Sequence, residues 1–284
     1  MIFLARHTLN HQIDPVKNFY EGLKKHGHKN IDVYNLKDFQ QGKHKGKKYD
    51  IGFCWGTRNM IELQKIVENV VIIENSYLNN IQSQKGKVWM SYGWNGLNGR
   101  ADFCNQHSLN DRWNKHFNDG RLLDYSDGDY ILIPLQIKND MSIAGRGFQY
   151  QTIVNEIRKF TNLPIKIKQH PTADDQWEKI LGKNISYINR FMPIKDAIKG
   201  AKVVVTINSN AGVDAVLAGK PVVALDEGSM VYDIASHDFS KLLVPNWPDR
   251  TQWCNDIAYA QWKPDEVIAG EAWEHLKQKL FTNA

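Results

Sequence analysis

Val203-Val204-Val205-Thr206-Ile207-Asn208-Ser209-Asn210-Ala211-Gly212-Val213-Asp214-Ala215-Val216-Leu217-Ala218-Gly219-Lys220-Pro221-Val222 decides how this chain is read. The β-branched run over residues 203–207 predicts a strand buried on both faces, as parallel sheets require. Small polar residues follow, and helical spacing then predicts a helix over residues 211–218. Gly219 stands where a C-cap glycine belongs, Pro221 cannot continue the helix, and residues 222–225 start the next strand. The first amides of such a helix have no partner within it, and its dipole favours an anion there. Ser209 and Asn210 are small and polar, so a diphosphate could approach the backbone closely. Gly212 leaves room for that approach or for tight helix packing. The same residues suit plain N-capping by Ser209 or Asn210. The segment by itself leaves both readings open.

Outward from this unit, short apolar runs alternate with amphipathic stretches, which predicts parallel sheets crossed by helices. In the second half, strands are expected near residues 130–136 and at 165–169, 185–188, 203–207 and 222–225. Helices are expected there at 149–160, 174–181, 194–201 and 211–218. In the first half the expected strands are 2–7, 31–36, 50–55, 70–74 and 88–92, with helices at 15–26 and 58–67. Pro15 behind Asp14 marks a helix start. Residues 92–129, rich in Gly, Asn and Asp, read as loop, and residues 264–279 as one amphipathic helix. The expected architecture is α/β, with two Rossmann-like doubly wound domains and a cleft between them as the default site. Residues 1–128 and 129–262 are the two expected Rossmann-like domains. The helix of residues 263–284 packs back on the N-terminal domain.

Bulk properties narrow the class. The chain has 284 residues, 42% hydrophobic and 24% charged, a composition that supports packed cores. No stretch approaches the roughly 20 apolar residues of a membrane span. The start meets a charge too early for a signal peptide. Cys54, Cys104 and Cys254 are scattered without C-x-x-C spacing, which points to a reducing cytoplasm and gives no metal signature. Residues 1–60 carry nine Lys and two Arg against five acids, a net of +6, while the whole chain is +5. The density lies in Lys43, Lys45, Lys47 and Lys48. Such a run is either a solvated loop or a surface that meets polyanion.

Other strand ends add chemistry. Lys168 and His170 close an earlier strand, and in a parallel sheet they fall on the same carboxyl edge as Ser209. A Lys and a His there suit a nucleotide diphosphate. Leu225-Asp226-Glu227-Gly228-Ser229 places carboxylates beside a turn, where they can hold ribose or sugar hydroxyls.

A His-Pro pair (His170-Pro171), then a strand leading to N-S-x-x-G-x-[DE]-A (residues 208–215), then Gly219-Lys220-Pro221-Val222, resembles the donor domain of GT-B glycosyltransferases. Ile133-Pro134-Leu135-Gln136 with Asp140 and Ser142-Ile143 is similar to the capsule-polysaccharide branch, which includes bacterial Kdo transferases. The resemblance covers roughly residues 130–235. It implies a GT-B fold and a glycosyltransferase using a nucleotide-sugar, expected to be a UDP-sugar, as co-substrate, with no permanently bound cofactor. It implies that His170, Ser209 and Gly212 face the donor diphosphate. Gln136 and Asp140 would line the cleft, and Glu227 would lie near the ribose or sugar. The full donor-binding set is Gln136, Asp140, Lys168, His170, Asn208, Ser209, Asn210, Gly212, Glu227, Gly228 and Ser229. The first 125 residues carry no motif that matches the acceptor half of that branch.

The tail, with Arg250-Thr251-Gln252-Trp253 and Gly270-Glu271-Ala272-Trp273, is similar to proteins of tailed phages. Combined with the basic first 60 residues, it makes a hydroxymethylated pyrimidine in phage DNA the expected acceptor, and the host-cell cytoplasm the expected location. Lys43, Lys45, Lys47, Lys48, Trp94 and Arg100 are the acceptor candidates. A cell-surface polysaccharide acceptor is the alternative, and a non-catalytic nucleic-acid-binding protein of GT-B shape is a reading from another class. For the base, Asp102 in the glycine-rich loop beside Arg100 and His7 at the end of the first strand are the candidates, with Asp111 behind them. Asp102 read structurally is a turn residue paired with Arg100. Trp89, Trp94 and Trp113 could stack a base or sugar ring or belong to the core.

Overall fold

The computed structural model describes residues 1–5, 10–78, 89–172 and 177–282. Among them the strands are β1 (Ile2–Ala5), β2 (Asp32–Asn35), β3 (Ile51–Trp55), β4 (Asn69–Asn75), β5 (Met90–Trp94), β6 (Tyr130–Pro134), β7 (Ile165–Lys168), β8 (Ile185–Ile188), β9 (Ala201–Thr206), β10 (Val222–Ala224) and β11 (Gln261–Trp262). The helices are α1 (Asn10–Lys25), α2 (Leu36–Gln40), α3 (Gly56–Leu63), α4 (Asp111–His116), α5 (Tyr150–Ile157), α6 (Ile194–Lys199), α7 (Ala211–Leu217), α8 (Thr251–Tyr259), α9 (Pro264–Ala269), α10 (Glu271–Leu276) and α11 (Lys279–Thr282). The chain divides into two compact units, Met1–Leu109 with Asn255–Ala284, and Asn110–Cys254.

The first unit is built on a sheet of order β11-β5-β4-β3-β1-β2. Strands β1 to β4 pair in parallel, while β5 and β11 are antiparallel additions. Period-two alternation splits its apolar residues between two cores. On one face Phe3 stacks on its register partner Phe53 at 4.5 Å, and Phe19 of α1 stacks on Tyr92 at 5.1 Å. Ile2, Cys54 and Val70 bury the other face with Leu63 of α3 and Val67. Val16, Phe19 and Leu23 give α1 its buried stripe, and Val267 and Trp273 of the C-terminal helices share that core.

The second unit has a parallel sheet of order β10-β9-β6-β7-β8. The valines of β9 make it a central strand, buried between β6 and β10. Tyr150, Ile153, Val154 and Ile157 recur at helical spacing and bury one face of α5.

Several boundaries differ from the sequence-based expectation. Residues 110–129 belong to the second unit because they are tied to it by hydrogen bonds. Leu123 N donates to Leu217 O at 2.8 Å and Ser126 N to Gly219 O at 3.1 Å. The buried Lys220 ammonium donates to the carbonyls of Ser126 (3.2 Å) and Asp127 (2.9 Å), so this lysine of the Gly-Lys-Pro motif anchors the entering chain. Residues 255–262 belong to the first unit, where Gln261 accepts from the amides of Tyr77 and Leu78, both at 3.0 Å. The boundary falls inside α8. Helix α1 starts at Asn10, so Pro15 lies inside it rather than at its start. No helix is found over 177–181, the described part of the expected 174–181 helix. The C-terminal helix breaks into α9 and α10 at Gly270, whose φ of 90° ends α9 in a left-handed cap.

The packing of α1 on α9 depends on Gly22, because a Cβ there would strike the Val267 carbonyl oxygen. Gly22→Ala is expected to destabilise the protein by about 1–3 kcal/mol in urea unfolding, the usual cost of forcing a methyl into a closed contact. The exposed neighbour substitution Lys25→Ala should stay within about 0.5 kcal/mol of the parent. Equal stabilities would show that α9 does not sit on α1 this closely.

Candidate functional site

The carboxyl ends of the parallel strands β10, β9, β6, β7 and β8 lie side by side at one edge of the second sheet. The sequence places Asp226, Asn208, Gln136, Lys168 with His170, and Arg190 just beyond them in that order. Asn208, Gln136, Ser142 and Asp226 are buried and satisfy one another. Asn208 N donates to Gln136 Oε1 at 3.1 Å, and Gln136 Nε2 donates back to Asn208 Oδ1 at 2.8 Å. Asn208 Nδ2 donates to Asp226 Oδ1 and to the Ser142 carbonyl, both at 2.9 Å. Asp226 Oδ1 also receives the Gly228 amide at 2.8 Å, closing the turn after β10. Asp140 Oδ1 accepts from Ser142 N (2.8 Å) and Ser142 Oγ (2.6 Å), which fixes the loop after β6 against this group. The Gln136 backbone is held from two sides, by Tyr150 Oη accepting from its amide (2.9 Å) and Trp177 Nε1 donating to its carbonyl (2.6 Å). Gln136, Asp140, Asn208 and Gly228 are therefore brought together, with Ser229 N bonded to Asp226 O at 3.0 Å.

Other donor candidates take different parts. Lys168 is buried, and its ammonium donates to the carbonyls of Arg190 (2.6 Å) and Gln169 (3.1 Å), tying the loop after β8 to the end of β7. Burial pushes its pKa down. His170 Nδ1 accepts from the Thr172 amide at 3.3 Å and lies 2.9 Å from Thr172 Oγ1. The neutral ring then carries its proton on Nε2. Burial lowers the His170 pKa, the Lys168 charge lowers it further, and Asp140 pulls back upward. Ser209 Oγ accepts from Ala211 N at 3.2 Å, the capping arrangement at the start of α7, a helix of seven residues. Asn210 takes the N-cap position. Gly212 faces inward, since a Cβ there would meet Val231 at 3.1 Å and Thr206 at 3.4 Å. Its lack of a side chain serves tight packing of α7, one of the two roles the sequence allowed. Glu227 is exposed, and its neighbour Asp226 is the carboxylate inside the network. Asp226, Ser142 and Arg146 stand outside the donor-binding set expected from the sequence, although the carboxylates after β10 were named there as possible hydroxyl ligands. Asp226 and Ser142 stand in the quoted motifs, but Arg146 carries no motif signal.

A cavity of about 340 Å³ is lined by Leu135, Gln169, Trp177, Glu178, Lys179 and Tyr187. Leu135 and Gln169 directly precede Gln136 and His170 in the chain.

The acceptor and base candidates fare differently. His7 lies outside the described residues. Asp102 forms a bridge with Trp94 and accepts from Lys279 Nζ at 2.6 Å and Cys104 N at 2.9 Å. Partial burial pushes its carboxyl up, but Lys279 and the Cys104 amide outweigh that and hold it below the usual carboxylate range. A base is weakened by such partners, and Asp102 is a turn residue whose cation is Lys279. Arg100 ends the short turn Asn98–Arg100 before it. Trp94 is fully buried, and its Nε1 donates to Leu276 O at 2.9 Å, so it cannot stack an acceptor. Trp113 is buried in α4, and Trp89 lies under the Lys263 ammonium at 5.6 Å. Asp111 opens α4 in the second unit, away from the half where an acceptor base was expected. In the basic run, Lys43 pairs with Asp38 at 2.6 Å and Lys47 with Asp32 at 2.8 Å, while Lys45 and Lys48 are exposed. Part of the charge behind the DNA expectation is thus matched within the unit. Among the described residues no cluster of His, Cys, Asp and Glu could hold a metal ion, and no helix is long and apolar enough to cross a membrane.

Trp94→Phe keeps the ring in the core and removes one hydrogen bond, so it should cost about 0.5–1.5 kcal/mol in denaturant unfolding. Ligand binding should be unchanged. Loss of acceptor binding at full stability would restore the stacking role.

Residues 104–260 match the family described as capsule polysaccharide biosynthesis protein. The capsule polysaccharide export protein KpsS of Escherichia coli is 28% identical over 186 residues, covering 58% of this chain and 43% of that protein. The chain therefore spans less than half the length of this curated relative. Among solved structures, the beta Kdo 2,7 transferase of Thermosulfurimonas dismutans KpsC superposes with a TM-score of 0.54 at 17% identity, over 98% of this chain and 99% of that one. The beta Kdo 2,4 transferase of the same protein gives 0.58 at 11% identity, over 93% and 97%. At these identities the likeness is one of fold, and it agrees with the two-sheet α/β architecture of GT-B type expected from the sequence. Because the family match covers more than half of its residues, this chain belongs to the capsule polysaccharide biosynthesis protein family.

Proposed function

We propose that this protein is a glycosyltransferase of capsule polysaccharide synthesis, which takes its sugar from a nucleotide-sugar bound at the carboxyl edge of the second sheet. The observation that carries this reading is the buried Gln136–Asn208–Asp226 group. A fully satisfied polar network at such an edge holds neighbouring loops in one geometry, and open α/β sheets bind ligands outside their strand carboxyl ends. The cavity beside Trp177 and Tyr187 offers aromatic walls for a nucleobase. His170 would meet the diphosphate. The capsule names of the relatives support a cell-surface polysaccharide as acceptor in place of DNA. This reading leaves Asp102 without a catalytic part.

The test is a transfer assay. The protein is incubated with a panel of nucleotide-sugars and either capsular oligosaccharides or hydroxymethylated DNA, and the products are weighed by mass spectrometry. One added sugar on an oligosaccharide, and none on DNA, is the expected result. Sugar on DNA alone would reverse the acceptor assignment. Asn208→Ala removes the side-chain amide that bridges Gln136 and Asp226, so it should cost about 1–3 kcal/mol of stability and lower donor affinity.

A pH dependence follows from His170. Its pKa is lowered from 6.5 in the free protein, so the ring is neutral at pH 7. A bound diphosphate favours the charged ring and raises that pKa, so binding takes up a proton. Nucleotide affinity should therefore rise as the pH falls below the ordinary histidine value, and lose that part of its slope in His170→Ala. Identical pH profiles by calorimetry would remove His170 from the site.

A further inference from the structure

The loop between β6 and α5 brings one cation to the polar network that no motif announces. Arg146 Nη1 lies 3.8 Å from Asp226 Oδ2, beyond hydrogen-bond distance and at the outer limit of an ion pair. The two partners sit in different surroundings. The Asp226 side chain is 6% exposed, whereas that of Arg146 is 37% exposed. The carboxylate is thus fixed inside the network by Asn208 and Gly228, and the Arg146 side chain beside it is open to solvent. A guanidinium has five N–H donors, and a contact at 3.8 Å leaves most of them for another oxyanion.

The loop that carries Arg146 is fixed at its root and uncrowded at its tip. Asp140 holds Ser142, and Ser142 O receives Asn208 Nδ2, so residues 140–143 are bound to the strand ends. Arg146 itself lies between Gly145 and Gly147, with φ of 74° and 71°, and a Cβ at either would meet nothing within 4 Å. No packed neighbour therefore crowds either glycine, while the Arg146 amide donates to Ile143 O at 3.2 Å. Other cations at these strand ends are engaged otherwise, among them Arg190, whose Nη2 donates to the Pro171 carbonyl at 3.1 Å and whose guanidinium lies over the Phe191 ring at 5.0 Å. The Lys168 ammonium is bound to carbonyls, and the lowered pKa of His170 leaves it uncharged at pH 7. An incoming phosphate needs a charge that is already present, and Arg146 supplies one.

We propose that Arg146 is a binding residue for a phosphate of the nucleotide donor, held ready over the site by Asp226. This inference rests on the donor site described above. On binding, the guanidinium exchanges its long contact with Asp226 for charge-assisted bonds to phosphate oxygens, which are shorter and stronger.

The experiment is calorimetric titration of the full chain with nucleosides and their mono- and diphosphates, in the parent, Arg146→Ala and Arg146→Lys. Arg146 is on an exposed loop, and equal melting temperatures check that the variants fold. The parent should bind a nucleoside diphosphate more tightly than its nucleoside. Arg146→Ala should lose about 10–100-fold in diphosphate affinity, as expected for charge-assisted bonds, with nucleoside affinity unchanged. Arg146→Lys should recover part of the loss. If the parent binds no nucleotide, the donor site falls and this inference with it. If the parent binds diphosphate and Arg146→Ala binds it equally well, the donor site stands and the inference alone is overturned. Equal losses for nucleoside and diphosphate would also overturn it, since they mark a structural role.

Discussion

A primary amide buried among three strand ends must find partners for two donors and an acceptor, or leave them unpaired at about 1–3 kcal/mol each. Asn208 meets that demand with Gln136, Ser142 and Asp226, and its backbone amide adds a reciprocal bond to Gln136. The reciprocity matters because it leaves one orientation for each amide. A reversed Gln136 or Asn208 side chain would set donor against donor. The turn after β10, the loop after β6 and the start of the segment after β9 therefore share one geometry, although they come from parts of the chain up to about 90 residues apart.

The rest of the second unit supports that edge. Tyr150 and Trp177 fix the Gln136 backbone, and their rings meet edge to face at 4.8 Å. Two buried lysines serve as carbonyl clamps, Lys168 at the end of β7 and Lys220 at the start of β10. Each ammonium is placed where backbone carbonyls converge, which offsets the cost of burying its charge. The first unit has its own logic, in which aromatic stacking through Phe3, Phe53, Phe19 and Tyr92 joins the sheet to α1. Trp273 of α10 packs edge-on against Phe19 and donates through Nε1 to His28 Nε2 at 2.9 Å, so the C-terminal helices close this core.

What the sequence revealed followed from periodicity and punctuation. The valine run of β9 and the Gly219-Lys220-Pro221 stop are local signals, and they placed a parallel sheet correctly. Long-range partners were not legible. Trp94 sits in a glycine-rich stretch that reads as loop, yet it ends a strand and bonds a carbonyl 182 residues away. Asp226 and Glu227 are adjacent and chemically alike, and only the turn geometry decides which points into the network. Gly212 offered two readings, and only the structure shows that Val231 packs close enough to call for a glycine. Arg146 lies in a loop without period or motif, so nothing but its approach to Asp226 marks it. The unit boundary moved for a similar reason, because Lys220 and the amide of Leu123 hold residues that look like linker.

The central claim is that the carboxyl edge of the second sheet holds the donor, organised by Asn208. Amide hydrogen exchange read by mass spectrometry, with and without a saturating nucleotide-sugar, tests it most directly. The account predicts slower exchange in the segments around residues 136–146, 168–172, 206–212 and 226–231, whose amides line or brace that edge. Protection confined to other segments, with these four unchanged under saturating ligand, would contradict it.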